Sequence, residues 1–313
     1  MTGVLSGFGT IVIVIAAGFL LAHLRVFDER AQVVLSRLTF YIGSPALMVT
    51  VLGSADVHRL FSTNLIASVA GVAVTALLQV FMARAVFRRD GGDTVIGTFC
   101  SSYVNAGNLG LPIAAYAIGD TSVIAPMLLV QLVALQPVGL AVLDTMAARE
   151  RGEQSRRKII LTALTRPVRN PITIGSLVGV VLAVTGWHLP ALVEGPVEMI
   201  GGVAVPAMLI AYGISLRTGP LPGRGENPVQ LGVIVVLKLV LQPVVAWLVG
   251  AYALGLTGTP LMAVVIIAAL PTAQNVFVFA VRYNKGLVLA RDSVFLTTVL
   301  SVPVIIGITA LLG

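Results

Sequence analysis

The sequence is poor in charge, in aromatic rings and in cysteine. Of its 313 residues only 11% are charged, where a soluble domain averages about 25%. With 57% hydrophobic residues and a mean hydropathy of +1.00, the chain carries too much apolar surface to fold in water. It is expected to be an integral membrane protein. Aromatics make up 6%, and the apolar runs are long instead of alternating in the segments of about ten residues that mark an outer-membrane barrel. The fold class is therefore all-α and polytopic. A lone cysteine, Cys100, excludes an internal disulfide and leaves the redox compartment open. The opening MTGVLSGFGT has no basic n-region, so the first apolar segment is expected to be a retained span and not a cleaved signal peptide.

Other absences exclude classes of function. His23, His58 and His188 are scattered near span ends and have no metal-ligand spacing. No glycine-rich phosphate loop with a lysine is present, and no nucleophile stands beside a base. An enzyme, an ATP-driven pump, a metal site and a cofactor are all unexpected. No acidic residue is expected centrally in a span, since Asp144, Glu194 and Glu198 fall near ends. The net charge of +7 comes without an aromatic or arginine-rich nucleic-acid motif. It reads as a membrane orientation signal, with no nucleic-acid partner.

A spanning helix needs about 20 apolar residues. That length fits ten segments, at 4–24, 33–53, 63–87, 94–118, 121–147, 171–187, 196–216, 229–253, 260–282 and 287–311. Ten spans put all of the 20 basic residues except Arg59 and Lys238 into loops on one side, Arg291 among them. The positive-inside rule makes that side cytoplasmic and both termini external. The segment 148–170 is the one long hydrophilic connection and reads as a cytoplasmic linker, with contact to anionic lipid headgroups as a lesser reading. It divides the chain into two five-span halves, 1–147 and 171–313.

Five is odd, so if the halves are repeats the second is inverted. Weak similarity supports this. Pro45-Ala46 in the second span matches Pro206-Ala207 in the seventh, and the fourth and ninth spans each carry a polar, proline-containing break. The fourth holds NAGNLGLP, from Asn105 to Pro112, and the ninth holds ALPTAQN, from Ala269 to Asn275. Proline removes an N–H donor and disrupts the preceding turn. In hydrocarbon the freed backbone groups must be satisfied by protein or by a water-filled cavity. Matched breaks in two halves therefore point to a binding site at the repeat interface.

The residues there suit a solute. Asn105, Asn108, Gln274 and Asn275 offer neutral amides that donate and accept, Thr272 adds a hydroxyl, and half-helix N-termini attract anions. Gly107 and Gly110 are expected to permit an unwound backbone and close approach, with Pro112 opposite Pro271. Lys238, in VLKLVLQP, is expected to be the one basic residue well inside a span. It either neutralises an anionic solute or assists proton coupling, or it hydrogen-bonds loose carbonyls. Gln79, Gln136 and Gln242 read as interhelical glue, and Gln131 as a further candidate for lining the site.

These features together resemble the auxin efflux carrier family, within the bile acid–sodium symporter superfamily. The resemblance rests on the two breaks, the ten-span plan and the VLKLVLQP segment. The short central linker is similar to that of the bacterial members. The resemblance implies two inverted five-helix repeats whose broken helices 4 and 9 cross at the site. Spans 1, 2, 6 and 7 would form a scaffold, often at a homodimer interface, and spans 3–5 and 8–10 a transport domain moving in elevator fashion. The implied function is secondary transport of small organic anions, such as carboxylates or auxin-like acids, across the plasma membrane (the bacterial inner membrane). A sodium-coupled symporter of the bile-acid type, or an anion channel using the same cavity, are the alternative readings.

Overall fold

The structure, a computed structural model, describes residues 2–54, 63–110, 113–114, 118, 120–150, 170–220, 223 and 227–312. Pro112, His58, Arg59 and linker residues 151–169 lie outside the described residues. The described chain is helical: α1 (Thr2–His23), α2 (Glu29–Gly53), α3 (Thr63–Phe81), α4 (Gly91–Ser102), α5 (Pro126–Ala148), α6 (Pro171–Thr185), α7 (Ala191–Thr218), α8 (Pro228–Ala253), α9 (Gly258–Ala269), α10 (Asn275–Tyr283) and α11 (Leu287–Leu312). Among the described residues six helices are long and apolar enough to cross a membrane: α2, α3 with its extension to Val86, α5, α7, α8 and α11. Gly9–His23, Pro171–Thr185 and Gly258–Ala269 are equally apolar but shorter. The protein is a polytopic, all-helical membrane protein.

Local signals fix the helix ends. The Asp28 carboxylate accepts the Ala31 N–H at 2.9 Å at the start of α2. Asn170 caps α6 through Ile172 N–H, and Asn227 caps α8 through Val229 N–H. In both of those helices proline follows the cap at the first position, where no N–H is needed.

Three of the prolines that sit deeper in helices share a consequence that Pro196, Pro206 and Pro303 do not have. Pro45, Pro137 and Pro243 each follow directly on a π-turn, at Thr39–Gly43, Gln131–Leu135 and Leu237–Leu241, with one helical residue between. A π-turn bonds i to i+5 in place of i+4. The wider turn reroutes the carbonyls that proline leaves without a donor. It also swings the polar side chains of that turn, Thr39, Gln131 and Lys238, towards the protein interior, where all three are buried.

Helices α1, α2, α6 and α7 pack on one another, and α3, α4, α5, α8, α9, α10 and α11 pack around the breaks in the fourth and ninth segments. The α1–α7 crossing is a backbone-to-backbone approach. A Cβ on Gly213 would lie 2.1 Å from the Ile15 carbonyl oxygen, and one on Gly18 2.3 Å from that of Ile210. Small residues of this kind let membrane helices associate by close van der Waals contact.

One sequence expectation fails here. Arg291 lies within α11 and not in a loop, and Asp292 beside it is an acidic residue inside a helix; their side chains are 2% and 0% exposed. The guanidinium and the carboxylate pair at 2.6 Å, and the second carboxylate oxygen accepts the Gly223 N–H at 2.7 Å. Tyr212 of α7 donates its hydroxyl hydrogen to the Arg291 carbonyl at 2.7 Å. The pair was hidden because adjacent opposite charges near a span end resemble a solvated loop, whereas packing against α7 removes the solvent. At the same end, Lys285 pairs with Asp90 at 2.7 Å. Burial alone would raise the Asp90 carboxyl, but the Lys285 ammonium and the Asp93 N–H outweigh it and hold its pKa below the usual carboxylate value.

Gly213→Ala should lower stability by about 1–3 kcal/mol, because the backbone of α1 must give way. Gly195→Ala, with nothing within 4 Å of its new Cβ, should change little. Thermal unfolding of both proteins in detergent checks this.

Candidate solute site at the paired breaks

Helices α4 and α9 are each 12 residues long, so each reaches about 18 Å. That is a little over half of a hydrocarbon core of about 30 Å. Both then stop. Tyr103 turns extended at φ −83° and ψ 113°, and Leu270 at φ −57° and ψ 144° just before Pro271. Every residue of α9 from Leu261 onward is buried, so its open end lies inside protein and not against lipid.

The two breaks satisfy each other. Val104 and Thr272 form an antiparallel bridge. The Asn105 N–H donates to the Pro271 carbonyl at 2.9 Å, and the Ala273 N–H to the Tyr103 carbonyl at 3.3 Å. Thus Asn105 is the residue opposite Pro271. On its outer edge Val104 is completed by a side chain: its N–H donates to Gln131 Oε1 at 2.7 Å, and Gln131 Nε2 donates to its carbonyl at 3.0 Å. Thr272 faces away from the cavity. Its N–H donates to Thr297 Oγ1 at 3.1 Å and its hydroxyl donates to the Cys100 carbonyl.

Lys238 serves the carbonyl ends of the two half-helices. It is fully buried. Its Nζ donates to Gln242 Oε1 at 2.6 Å and to the Ala268 carbonyl at 3.4 Å, and Gln242 Nε2 donates to the Ser102 carbonyl at 3.4 Å. One lysine and one glutamine thus reach the last carbonyls of both α9 and α4, where the negative ends of the helix dipoles converge. Lys238 is not among the residues that line the cavity. Its hydrogen bonds go to one carbonyl, that of Ala268, and to Gln242.

Against the other side of the breaks lies a cavity of about 270 Å³. Asn105, Gly107, Asn108, Gln131, Gln274 and Asn275 line it, as do Gln136 and Tyr103. Apolar side chains of α2, α5, α7 and α10 close it, among them Met48, Leu132, Met208 and Phe279. No charged side chain lines it among the described residues. Gly107 and Gly110 do not unwind the backbone as expected. They sit in a π-turn, Ala106–Gly110, without positive φ. Gly110 is there for space, since a Cβ would meet Ile124 and Leu270 at 3.1 Å.

The orientation of the amides follows from the backbone. Asn108 N–H donates to Asn105 Oδ1 at 3.3 Å. That turns Asn105 Nδ2 towards Gln274 Oε1, at 2.7 Å, and Asn108 Nδ2 approaches the same oxygen at 3.4 Å. Gln274 therefore presents its Nε2 donor elsewhere, and that donor is buried with no partner. Similarly, Gln136 Oε1 accepts from the Tyr103 hydroxyl at 3.0 Å and from Asn275 Nδ2 at 3.3 Å. This leaves Asn275 Oδ1 as a buried acceptor with no partner. A free donor and a free acceptor thus belong to neighbouring residues that line one uncharged cavity.

A profile described as membrane transport protein matches residues 8–309. The chain belongs to this family, which is that of the auxin efflux carriers. It is a membrane transporter and not an enzyme. A protein of Rhizobium meliloti (strain 1021) named "Putative malonate transporter" is 27% identical over 299 residues, covering 94% of this chain and 91% of that protein. An "Uncharacterized transporter" of Methanothermobacter thermautotrophicus is 25% identical over 296 residues, covering 93% of each. Auxin efflux carrier component 3 of Arabidopsis thaliana is 26% identical over 194 residues, 57% of this chain and 30% of the plant protein.

Of the expected site residues, Asn105, Gly107, Asn108, Gln131, Gln274 and Asn275 of this transporter come together on the cavity wall. Pro271, Thr272, Lys238 and Gly110 lie behind or beside it. Gln136, Tyr103 and Thr297 were missed as parts of the site. Pro137 was the available signal for Gln136, because the proline and its π-turn mark where α5 turns amides inward. Replacing Gln131 with leucine should orphan the Val104 N–H and carbonyl, at a cost of about 1–3 kcal/mol. Thermal unfolding of Gln131→Leu should show that loss, with Gln79→Leu as comparison, since both amide atoms of the buried Gln79 lack partners.

Proposed function

We propose that this transporter is a secondary carrier of small organic anions, with carboxylates of malonate size as its substrate class. In this reading the ten apolar segments are ten spans in two inverted five-helix repeats, 1–147 and 171–313. Basic loops and the 148–170 linker face the cytoplasm, and both chain ends face outward from the plasma membrane. The broken helices α4 and α9–α10 cross at mid-depth. Helices α1, α2, α6 and α7 form the scaffold, and the rest form a transport domain that slides along it.

The observation that carries the reading is the uncharged cavity walled by the amides of both breaks, Asn105, Asn108, Gln274 and Asn275, in which Gln274 keeps a buried Nε2 donor without a partner. A buried donor without an acceptor costs about 1–3 kcal/mol, and a carboxylate oxygen supplies the acceptor. The neutral wall favours release as well as capture, since no opposite charge traps the ion. The N-terminal end of α10, at Gln274 and Asn275, adds the positive end of a helix dipole on the same side. The name of the Rhizobium relative points to a dicarboxylate of this size. The reading is supported by a cavity shared between α2 and α7 on one side and the broken helices on the other, which sliding would expose alternately.

Purified protein in liposomes should take up labelled malonate saturably and show counterflow. Gln274→Met, which keeps the volume and removes the donor, should lower uptake at least about tenfold. Unimpaired transport by both Gln274→Met and Asn108→Ala would overturn the site. Single-channel currents in a planar bilayer would instead indicate a channel. Replacing sodium with choline should leave the flux unchanged, and loss of flux would select the sodium-coupled alternative.

A further inference from the structure

Two helices on the cavity wall continue towards the basic end of the molecule. Thr39 of α2 and Phe279 of α10 line the solute cavity. One turn further along each helix, Ser36 and Arg282 line a separate cavity of about 220 Å³, together with Val33, Arg37, Tyr41 and Val281. Phe40, packed edge-on to Phe279 with ring centroids 6.4 Å apart, stands beside Arg282 between the two levels.

The second cavity has the chemistry of an oxyanion site. The Arg282 guanidinium carbon lies 5.6, 5.2 and 5.5 Å from the ring centroids of Phe40, Tyr41 and Tyr283. Three rings hold the guanidinium by cation–π attraction and leave its in-plane N–H groups free to donate. Among the described residues no carboxylate pairs with Arg282 or Arg37. Asp144, which lines a further small cavity together with Arg282 and Tyr283, has its oxygens engaged by the Tyr283 hydroxyl at 2.9 Å and Asn170 Nδ2 at 3.3 Å. Ser36 is 2% exposed, and its hydroxyl has no hydrogen-bond partner. Two unpaired guanidinium groups and a buried unpartnered hydroxyl thus line one small cavity.

We propose that this cavity is a second anion station, in which Arg37, Arg282 and Ser36 hold the carboxylate of the transported solute at the basic mouth before it enters, or after it leaves, the amide-lined cavity. The proposal rests on the carrier reading for the identity of the anion. It does not rest on the breaks for its geometry. Arginine forks match a carboxylate bidentately, and at this mouth strong charge costs little, because exposed Arg37 and Arg282 remain in contact with water. The two stations divide the work: charge collects the anion at the surface, and neutral amides carry it through the low-dielectric interior. Arg37 belongs to α2 and Arg282 to α10, so sliding of one helix group past the other would pull the clamp apart.

Site-specific modification tests the station without relying on flux. Phenylglyoxal reacts with accessible arginines, and mass spectrometry reads each position. In vesicles of neutral phosphatidylcholine, malonate at roughly ten times its half-saturating concentration should slow modification of Arg37 and Arg282 about tenfold by mass action. Exposed Arg30, on the same helix, should be protected no more than malonamide protects it. The protection should persist in Gln274→Met, where the deeper site is broken. Equal rates at Arg37 and Arg282 with and without malonate would overturn the station even if transport is intact. Protection that survives while flux is absent would instead count against the carrier reading. Protection produced by phosphatidylglycerol vesicles alone, with no further effect of malonate, would assign the clamp to a lipid headgroup and overturn the proposal. In transport, Arg37→Gln and Arg282→Gln should each raise the KM from the basic face about tenfold relative to the KM from the opposite face, which is about 1.4 kcal/mol. Arg282→Lys, which retains the charge, should recover part of that change, and an unaltered KM ratio in all three variants would refute the assignment.

Discussion

Inside hydrocarbon a backbone N–H or C=O without a partner costs several kcal/mol, and the centre of this protein is arranged around that cost. Two helices stop after 12 residues inside the protein, so their broken ends need partners. The short antiparallel pairing of Tyr103–Asn105 with Pro271–Ala273 supplies them. Proline at 271 accepts through its carbonyl and has no N–H that would need an acceptor. Gln131 closes the outer edge of Val104, and Thr297 closes the N–H of Thr272. Lys238 and Gln242 reach the carbonyl ends. With these bonds in place, irregular backbone can persist where a continuous helix would be the default.

Satisfying the backbone also sets the chemistry of the cavity. Because Asn105 Oδ1 must accept from the Asn108 N–H, its amide hydrogens turn to Gln274, and the donor of Gln274 is left over. Because Gln136 Oε1 accepts twice, the oxygen of Asn275 is left over. The unpaired groups are thus the remainder of a network in which each earlier bond fixes the next amide. The amino group of Lys238 stays behind the breaks, beside the carbonyl end of α9. In the proposed carrier, a solute in this cavity would meet oriented dipoles in place of a fixed ion, which suits a group that must be bound and then released.

Much of this was legible in the sequence, for identifiable reasons. Apolar runs of membrane length gave the helices, because lipid leaves the backbone few alternatives. NAGNLGLP and ALPTAQN marked the breaks, because prolines and amides are conspicuous among apolar residues. The register of the breaks was not legible: Asn105 faces Pro271, and no local pattern distinguishes that alignment from one a few residues away. Arg291 and Asp292 were misjudged because the sequence does not reveal what α7 covers. Gln136 was passed over because one glutamine in a helix looks like any other until a π-turn places it.

The sequence by itself therefore determined that the chain is helical, lies in a membrane, concentrates its basic residues in a few segments and carries two interrupted helices. Each of these follows from short-range physics: apolar transfer, proline geometry and charge asymmetry. Only the tertiary structure decided which atoms are left without partners. That is a property of the whole set of pairings, since the donor of Gln274 is left over only after Asn105 and Asn108 have found their partners, and the oxygen of Asn275 only after Tyr103 and Gln136 have found theirs. It likewise decided that Arg37 and Arg282, 245 positions apart in sequence, line one cavity, because only the packing of α2 against α10 brings the two charges together.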